Sequence, residues 1–444
     1  INNMKGQIKQ AIKKDSFGSD ALLVMLVKVV GAIMTIALSI YITRVIGKGA
    51  YGLISLGNQI LNFSLLFILA GYNQITTREV SKIRENKTKV GFYASLLHRY
   101  IFTRSALMML ILFVAAFPLF NYVFDSSSFV LPFIILSIGL VPQTVSRIFS
   151  SVLLGMKKVW QANLTEQTLT STLLLTFLLA LNLLGFRLNI NIVVSCFVVA
   201  RCVMYVIFSL YLKRGLRLKI NFRNHTGDRI TKMSGFDSKV SRRSFLIIAL
   251  TSYGYNTINS LVLGFTCSPV DVGIFNILMK IATPIAFILI AFQRSSMPRI
   301  AKKYAEGDIE YLKEAFLKIG LLAGILGLLF FLIVLFFGQN ILLVWNIEEY
   351  EVYKSLIILA LGFLINAATS VAGPILAMTG QEDIHSNINV VSVGLQVTLS
   401  LVLTIEFGII GAAASFTAIM LFSNLAKVFF MYKKVLRRTN IMKE

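Results

Sequence analysis

The chain has 444 residues, 56% of them hydrophobic, a mean hydropathy of +0.77 and a formal net charge of +23. A water-soluble protein of this size could not hide so much apolar surface, so an ordinary soluble globule is excluded. The charge by itself would suit nucleic acid, but where the charges fall excludes that partner as well.

Apolar windows of about 20 residues, the length a helix needs to cross hydrocarbon, recur along the whole chain. They fall at 22–43, 51–74, 100–121, 129–154, 165–185, 191–212, 244–266, 272–297, 316–337, 352–378, 387–407 and 409–432. The alternating pattern of a membrane barrel is absent. The first window is too long for a cleavable leader and is followed by further spans, so it reads as an anchor.

Basic residues crowd alternate loops. Lys5, Lys9, Lys13 and Lys14 precede the first span, and Arg78, Lys82, Arg84, Lys87 and Lys89 follow the second. Lys157 and Lys158 follow the fourth, and ten basic residues lie between Lys213 and Arg243. Arg299, Lys302, Lys303 and Lys313 follow the eighth span, and Lys433, Lys434, Arg437 and Arg438 follow the twelfth. The opposite loops hold Arg44, Lys48 and Arg187 with the acidic run Glu348, Glu349 and Glu351. This asymmetry predicts a multi-pass protein of the cytoplasmic membrane with both termini cytoplasmic.

The basic stretch 213–243 divides six spans from six, giving lobes at 1–212 and 244–444 joined by a cytoplasmic linker. The halves resemble each other at an offset near 221: Tyr51-Gly52-Leu53-Ile54 matches Val272-Gly273-Ile274-Phe275, and Arg78 and Lys82 match Arg299 and Lys303. An even number of spans per repeat gives both halves the same orientation, related by an axis along the membrane normal. The predicted fold class is all-α integral membrane: twelve transmembrane helices in two six-helix lobes, with pseudo-two-fold symmetry and a central cavity.

Lys28, Arg104, Arg147, Arg201 and Lys280 lie inside predicted spans. An ionisable group at membrane depth costs roughly 3 kcal/mol on insertion scales, so such groups face a bundle interior or a wet cavity. All five are cationic, which points to an anionic ligand. Lys28, Arg104 and Arg147 lie near span ends and could instead snorkel to headgroups; Arg201 lies near mid-span. Polar residues recur at helical spacing beside them: Ser55, Asn58 and Asn62 in the second span, Gln143, Arg147 and Ser150 in the fourth. Ser252, Tyr255, Asn256 and Asn259 do so in the seventh, Asn276 and Lys280 in the eighth, and Asn389, Ser392, Gln396 and Ser400 in the eleventh. Such stripes glue helices together or line a wet cavity. The ninth span has almost none and should face lipid. Pro142, Pro284 and Pro374 should kink the fourth, eighth and tenth spans.

Enzyme chemistry finds no support. Acidic groups at depth are confined to span ends (Glu166, Asp271 and Glu406), of which Glu166 could pair with Arg147 or another cation, and His98, His225 and His385 are scattered. Cys196, Cys202 and Cys267 suggest neither a disulfide framework nor a metal site. No phosphate-cradling glycine motif is present, so neither a nucleotide nor another cofactor is expected.

Three segments carry a family resemblance. They are Arg44-Val45-Ile46-Gly47-Lys48-Gly49-Ala50-Tyr51-Gly52, its echo Ser268-Pro269-Val270-Asp271-Val272-Gly273, and Gly408-Ile409-Ile410-Gly411-Ala412-Ala413-Ala414. With them the chain resembles Wzx-type lipid-linked oligosaccharide flippases, which carry O-antigen or capsule repeat units. These belong to the polysaccharide-transporter branch of the multidrug/oligosaccharidyl-lipid/polysaccharide superfamily. The resemblance implies alternating access around a cavity lined by the first, second, seventh and eighth spans, which favours Lys28 and Lys280 over Arg201 and Arg147. It implies a polyprenyl-pyrophosphate-linked oligosaccharide as cargo and membrane lipids around it. Polysaccharide polymerase and chain-length machinery are the implied protein partners. Asn58, Asn62, Tyr255, Asn256 and Asn259 would then offer hydrogen bonds to sugar. The second span lacks the intramembrane arginine of some relatives. A cation-coupled multidrug exporter of the same fold is the alternative, disfavoured because a cationic interior repels cationic drugs. A membrane polymerase should carry a large outer loop with catalytic residues, and none appears; a scaffold in a glycan-synthesis complex is the remaining rival.

Overall fold

Hydrocarbon offers the backbone no hydrogen-bond partners, so each spanning segment must satisfy its own amides, and the chain answers with helices throughout. The computed structural model describes residues 2–164, 168–218, 239–284, 297, 300 and 303–437. Side chains are described for these except 2–22, 25, 239–249, 252, 255 and 256. Among the described residues every regular element is helical.

The elements run α1 (Asn2–Ile46), α2 (Lys48–Leu69), α3 (Tyr72–Ile83), α4 (Lys87–Pro118), α5 (Val130–Ile138), α6 (Leu140–Gly155) and α7 (Val159–Asn163). Next come α8 (Leu169–Leu183), α9 (Ile190–Leu210), α10 (Lys239–Thr266) and α11 (Pro269–Ala282). The chain continues with α12 (Ile309–Leu343), α13 (Tyr350–Thr369), α14 (Ala372–Met378) and α15 (Glu382–Met431). Among the described residues eight segments are long and apolar enough to cross a membrane. Shorter apolar helices at Leu169–Leu183 and Thr257–Thr266 occupy the predicted fifth and seventh spans. The predicted eighth span opens with α11 and runs beyond the described residues.

Local sequence explains the helix ends. The Asn86 side chain accepts from the Lys89 amide at 3.0 Å and the Asn189 side chain from the Ile192 amide at 3.0 Å. Ser268 and Asp271 form a reciprocal capping box on α11, with Pro269 in the first turn. Asp308 accepts from the Tyr311 amide at 3.1 Å and starts α12.

Several boundaries differ from the sequence expectation. The predicted fourth span is two helices that break at Gly139, and Pro142 sits in the first turn of α6, where its missing N–H breaks no intrahelical bond. Pro374 likewise sits in the first turn of the short α14, after the predicted tenth span breaks beyond Thr369. The basic loop after the second span contains α3, an amphipathic helix that buries Tyr72, Ile75, Thr76 and Val80. By contrast, the predicted eleventh and twelfth spans are the two helical arms of α15, which meet at Gly408 (φ 55°, ψ −128°), the residue between the predicted windows; the turn there brings Gly411 against the Leu403 carbonyl. That conformation is open to glycine and strained for other residues.

The chain divides into two compact units: Ile1–Tyr41 with Ile60–Ala249, and Ile42–Gln59 with Leu250–Glu444. In the first unit α6 packs on α3, α4 and α9, and α9 also packs on α5 and α8. In the second, α13 packs on α12 and α15, and α14 on α15. Gly320, Gly324 and Gly327 let α12 approach Ala367 and Ala368 of α13. The rest of α12 exposes Leu317, Leu321, Leu322, Ile325 and Phe336. The start of α2 joins the second unit through backbone contact. A Cβ at Gly52 would collide with the Pro269 carbonyl, and one at Gly273 would lie 3.1 Å from the Gly52 Cα. Lys48 pairs with Glu349 at 3.0 Å, and the Arg44 Nε donates to the Val344 carbonyl at 2.9 Å.

Two outcomes follow from this packing. Gly52→Val should lower the apparent Tm by several degrees in a detergent melt, because the Pro269 backbone cannot yield as a flexible side chain would. Gly394→Ala, exposed on α15 with open space around it, should match or exceed wild type. The second outcome concerns pH. The Lys303 ammonium and the Tyr311 amide hold the Asp308 carboxyl below its ordinary value. Its contribution is present above the unfolded carboxylate pKa and lost as pH falls through the depressed one. Intrinsic-rate-corrected exchange at Ile309–Tyr311 should therefore speed up between about pH 6 and about pH 3, a change that Asp308→Ala abolishes.

Candidate functional site

In the N-terminal unit, Gln143, Ser146 and Arg147 lie three and four residues apart on one face of α6. Phe197, Arg201, Met204 and Phe208 repeat the same spacing on α9. With Thr170 of α8 they enclose a pocket of about 100 Å³, and none of its described lining residues is acidic. That volume has room for several water molecules, so the pocket is wettable. Arg201 is 7% exposed, and Arg147 is half-buried.

Arg201 is held in place on two sides. Its Cζ lies 5.9 Å from the centre of the Phe197 ring, within range of a cation–π contact. At the α5–α6 break, a Cβ on Gly139 would stand 2.9 Å from both Cδ and Nη1 of Arg201. The break and the missing side chain make the space this arginine occupies. Asn62 stands behind the pocket: its Oδ1 accepts from the Gln143 Nε2 at 3.0 Å and anchors that amide.

The C-terminal unit carries a second polar group. The Lys280 ammonium lies 5.1 Å from the centre of the Tyr51 ring. One turn before it, Asn276 accepts from Gln59 Nε2 at 2.8 Å, and the Tyr253 hydroxyl donates to the Gln59 carbonyl at 2.8 Å. The buried Tyr51 hydroxyl and the Gln59 Oε1 make no hydrogen bond among the described residues. No described carboxylate forms an ion pair with Lys280.

The other expected contacts are dispersed. Lys28 is half-buried on α1. Asn58 donates to the Ile54 carbonyl of its own helix at 2.9 Å. Arg104 donates to the Ile68 carbonyl at 3.1 Å and lies over the Tyr100 ring. The side chains of Tyr255 and Asn256 lie outside the described residues, as do Glu166 and Arg294. Asn259 is corrected from sugar contact to packing residue. It is 1% exposed, its Nδ2 donates to the Ala412 carbonyl at 2.9 Å, and its Oδ1 accepts from Gln396 at 3.3 Å and Ser415 at 3.4 Å. Its amide ties α10 to both arms of α15.

Sequence reasoning missed Phe197, Thr170, Tyr51 and Gly139. Phe197 and Arg201 stand four apart, a relation legible in the sequence, whereas the Gly139 contact joins distant segments and needs the fold.

The packing role of Asn259 predicts a stability effect. Asn259→Ala should cost about 2–4 kcal/mol, read as a lowered melting temperature, because buried partners lose their bonds.

The fold and sequence have known counterparts. An inward-facing multidrug resistance MATE family transporter of the MOP superfamily superposes with a TM-score of 0.71 at 14% identity, over 95% of this chain and 99% of the other. An outward-facing transporter of that family gives 0.59 at 14% identity, over 95% of each chain. The MATE multidrug transporter DinF-BH, solved with a bound ligand, gives 0.63 at 16% identity, over 93% and 94%. No curated protein sequence matches the chain. The MatE family profile matches residues 244–402, and the profile described as polysaccharide biosynthesis protein matches residues 17–304. The chain is thus a multi-pass membrane protein that shares the fold of these MATE transporters, and it belongs to the polysaccharide biosynthesis protein family.

Proposed function

We propose that this protein flips polyprenyl-pyrophosphate-linked oligosaccharides from the inner to the outer leaflet of the cytoplasmic membrane by alternating access. The observation that carries this reading is the pocket at membrane depth that two guanidinium groups, those of Arg147 and Arg201, line together. Guanidinium is the side chain whose planar fork matches phosphoryl oxygens, and cations at membrane depth mark anionic cargo. A lipid-linked sugar brings such an anion while its prenyl chain stays in the bilayer. Family membership supports a sugar cargo.

The transport cycle follows from the chemistry. The diphosphate exchanges water for guanidinium and amide donors as it enters, and sugar hydroxyls exchange water for amides such as Gln59 and Asn276. Reorientation then releases the head on the other side. Moving about two negative charges outward gains roughly 4–5 kcal/mol at 100 mV, inside negative, so the membrane potential favours the productive direction. Lys280 offers a further cation to an anionic head. The MATE likeness gives the multidrug alternative a footing in fold, but a pocket with two arginines repels a cationic drug.

The test is flux in proteoliposomes. A fluorescent polyprenyl-pyrophosphate-linked oligosaccharide should cross with the wild-type chain, faster with the receiving side positive. The Arg147→Gln/Arg201→Gln double variant should slow it at least tenfold. Wild-type flux in the folded double variant, or export of a cationic dye without any lipid-linked flux, would contradict the proposal.

A further inference from the structure

The first helical hairpin is divided between the two units. Its arms, up to Tyr41 and from Ile60 onward, pack with the N-terminal unit, and its tip, Ile42–Gln59, packs with the C-terminal one. We infer that this tip is a latch: Lys48 on Glu349 and Arg44 on the Val344 carbonyl hold it to the C-terminal unit, and each transport cycle requires its release. The latch rests on the reading of the chain as an alternating-access transporter and names a device that paces it.

Side-chain bonds bracket each hand-over. In α1, Thr35 shares a hydrogen bond with Ser171 of the N-terminal unit at 3.2 Å, whereas Arg44 donates to the Val344 carbonyl of the C-terminal unit at 2.9 Å. In α2, Gln59 donates to Asn276 of the C-terminal unit at 2.8 Å, whereas Asn62, one turn later, accepts from Gln143 of the N-terminal unit at 3.0 Å. Both helices are continuous through these points. Reorientation of the cargo site must therefore bend two continuous helices or part the tip from its seat. Bending breaks main-chain hydrogen bonds that hydrocarbon does not replace.

Parting the tip is the easier step. The Lys48–Glu349 pair, 3.0 Å apart, leaves 22% and 53% of its side chains exposed, and a pair in contact with water shifts an equilibrium by about fivefold at most. Arg44 is exposed as well. The backbones meet at glycines: Gly49 lies against Val270, and Gly52 against Pro269 and Gly273, so at these points no side chain of the tip interlocks with its seat. The latch is nevertheless specific. Arg44 and Lys48 face the loop that carries the acidic run Glu348, Glu349 and Glu351. The Glu349 carboxylate also accepts from the Glu348 amide at 3.2 Å, which orients it. The reading that puts the basic loops in the cytoplasm puts this latch at the outer face, where the cargo leaves.

The experiment is flux of the fluorescent polyprenyl-pyrophosphate-linked oligosaccharide in proteoliposomes. Lys48→Cys/Glu349→Cys, in a chain with Cys196, Cys202 and Cys267 replaced by alanine, is joined by a short cleavable thiol–thiol linker. Joining should slow flux at least tenfold, and cleavage should restore it. Glu349→Gln should raise flux about two- to fivefold, and the swap Lys48→Glu/Glu349→Lys should return it to the wild-type rate. A merely structural role would lower flux and Tm together in Glu349→Gln. The latch is overturned if the joined chain flips within twofold of its cleaved form, or if Glu349→Gln flips at or below the wild-type rate. Should the cysteine pair fail to fold, the second criterion decides alone. Failure of the latch is read in a wild type that flips; a wild type that flips nothing removes the proposed function itself.

Discussion

Arg147 and Arg201 line the same small pocket within the apolar helices of the N-terminal unit, and a guanidinium at membrane depth is held only where its surroundings are arranged for it. Gly139 leaves space, the Phe197 ring lies beside one guanidinium, Gln143 is anchored by Asn62, and hydroxyls complete the lining. Natural proteins commonly lose stability at such places in return for function.

The C-terminal unit has a different interior. Its fully buried polar residues are neutral: Asn259, Gln396, Ser400, Thr404 and Ser415 gather where α10 meets the two arms of α15. Asn259, Gln396 and Ser415 bond to one another and to the Ala412 carbonyl, as helix-joining groups do in hydrocarbon, whereas the Ser400 and Thr404 hydroxyls make no hydrogen bond among the described residues. The glycines at Gly52 and Gly273, matched by the sequence offset of 221, lie where α2 and α11 approach through their backbones.

Much of this was legible in the sequence, for stated physical reasons. Spans are long, apolar and capped, and hydrocarbon admits few other solutions, so the all-helical membrane fold followed directly. Arg147 and Arg201 were visible because arginine is rare at membrane depth. Their sharing of one pocket was not visible, since nothing in a linear pattern says which faces of α6 and α9 meet. Asn259 misled because a buried packing amide and a cavity-lining amide have the same spacing on a helix. The turn at Gly408 was legible, since the two apolar windows leave that single glycine between them. The break at Gly139 hid behind Pro142, which suggested a kink three residues too late.

The account predicts a fixed place for the anion, and a cryo-electron-microscopy structure of the full chain with farnesyl diphosphate tests it most directly. Diphosphate density should lie between Arg147 and Arg201, with phosphoryl oxygens about 2.7–2.9 Å from guanidinium nitrogens of both. Density confined to Lys280, or an empty pocket with the two arginines turned to lipid headgroups, would contradict it.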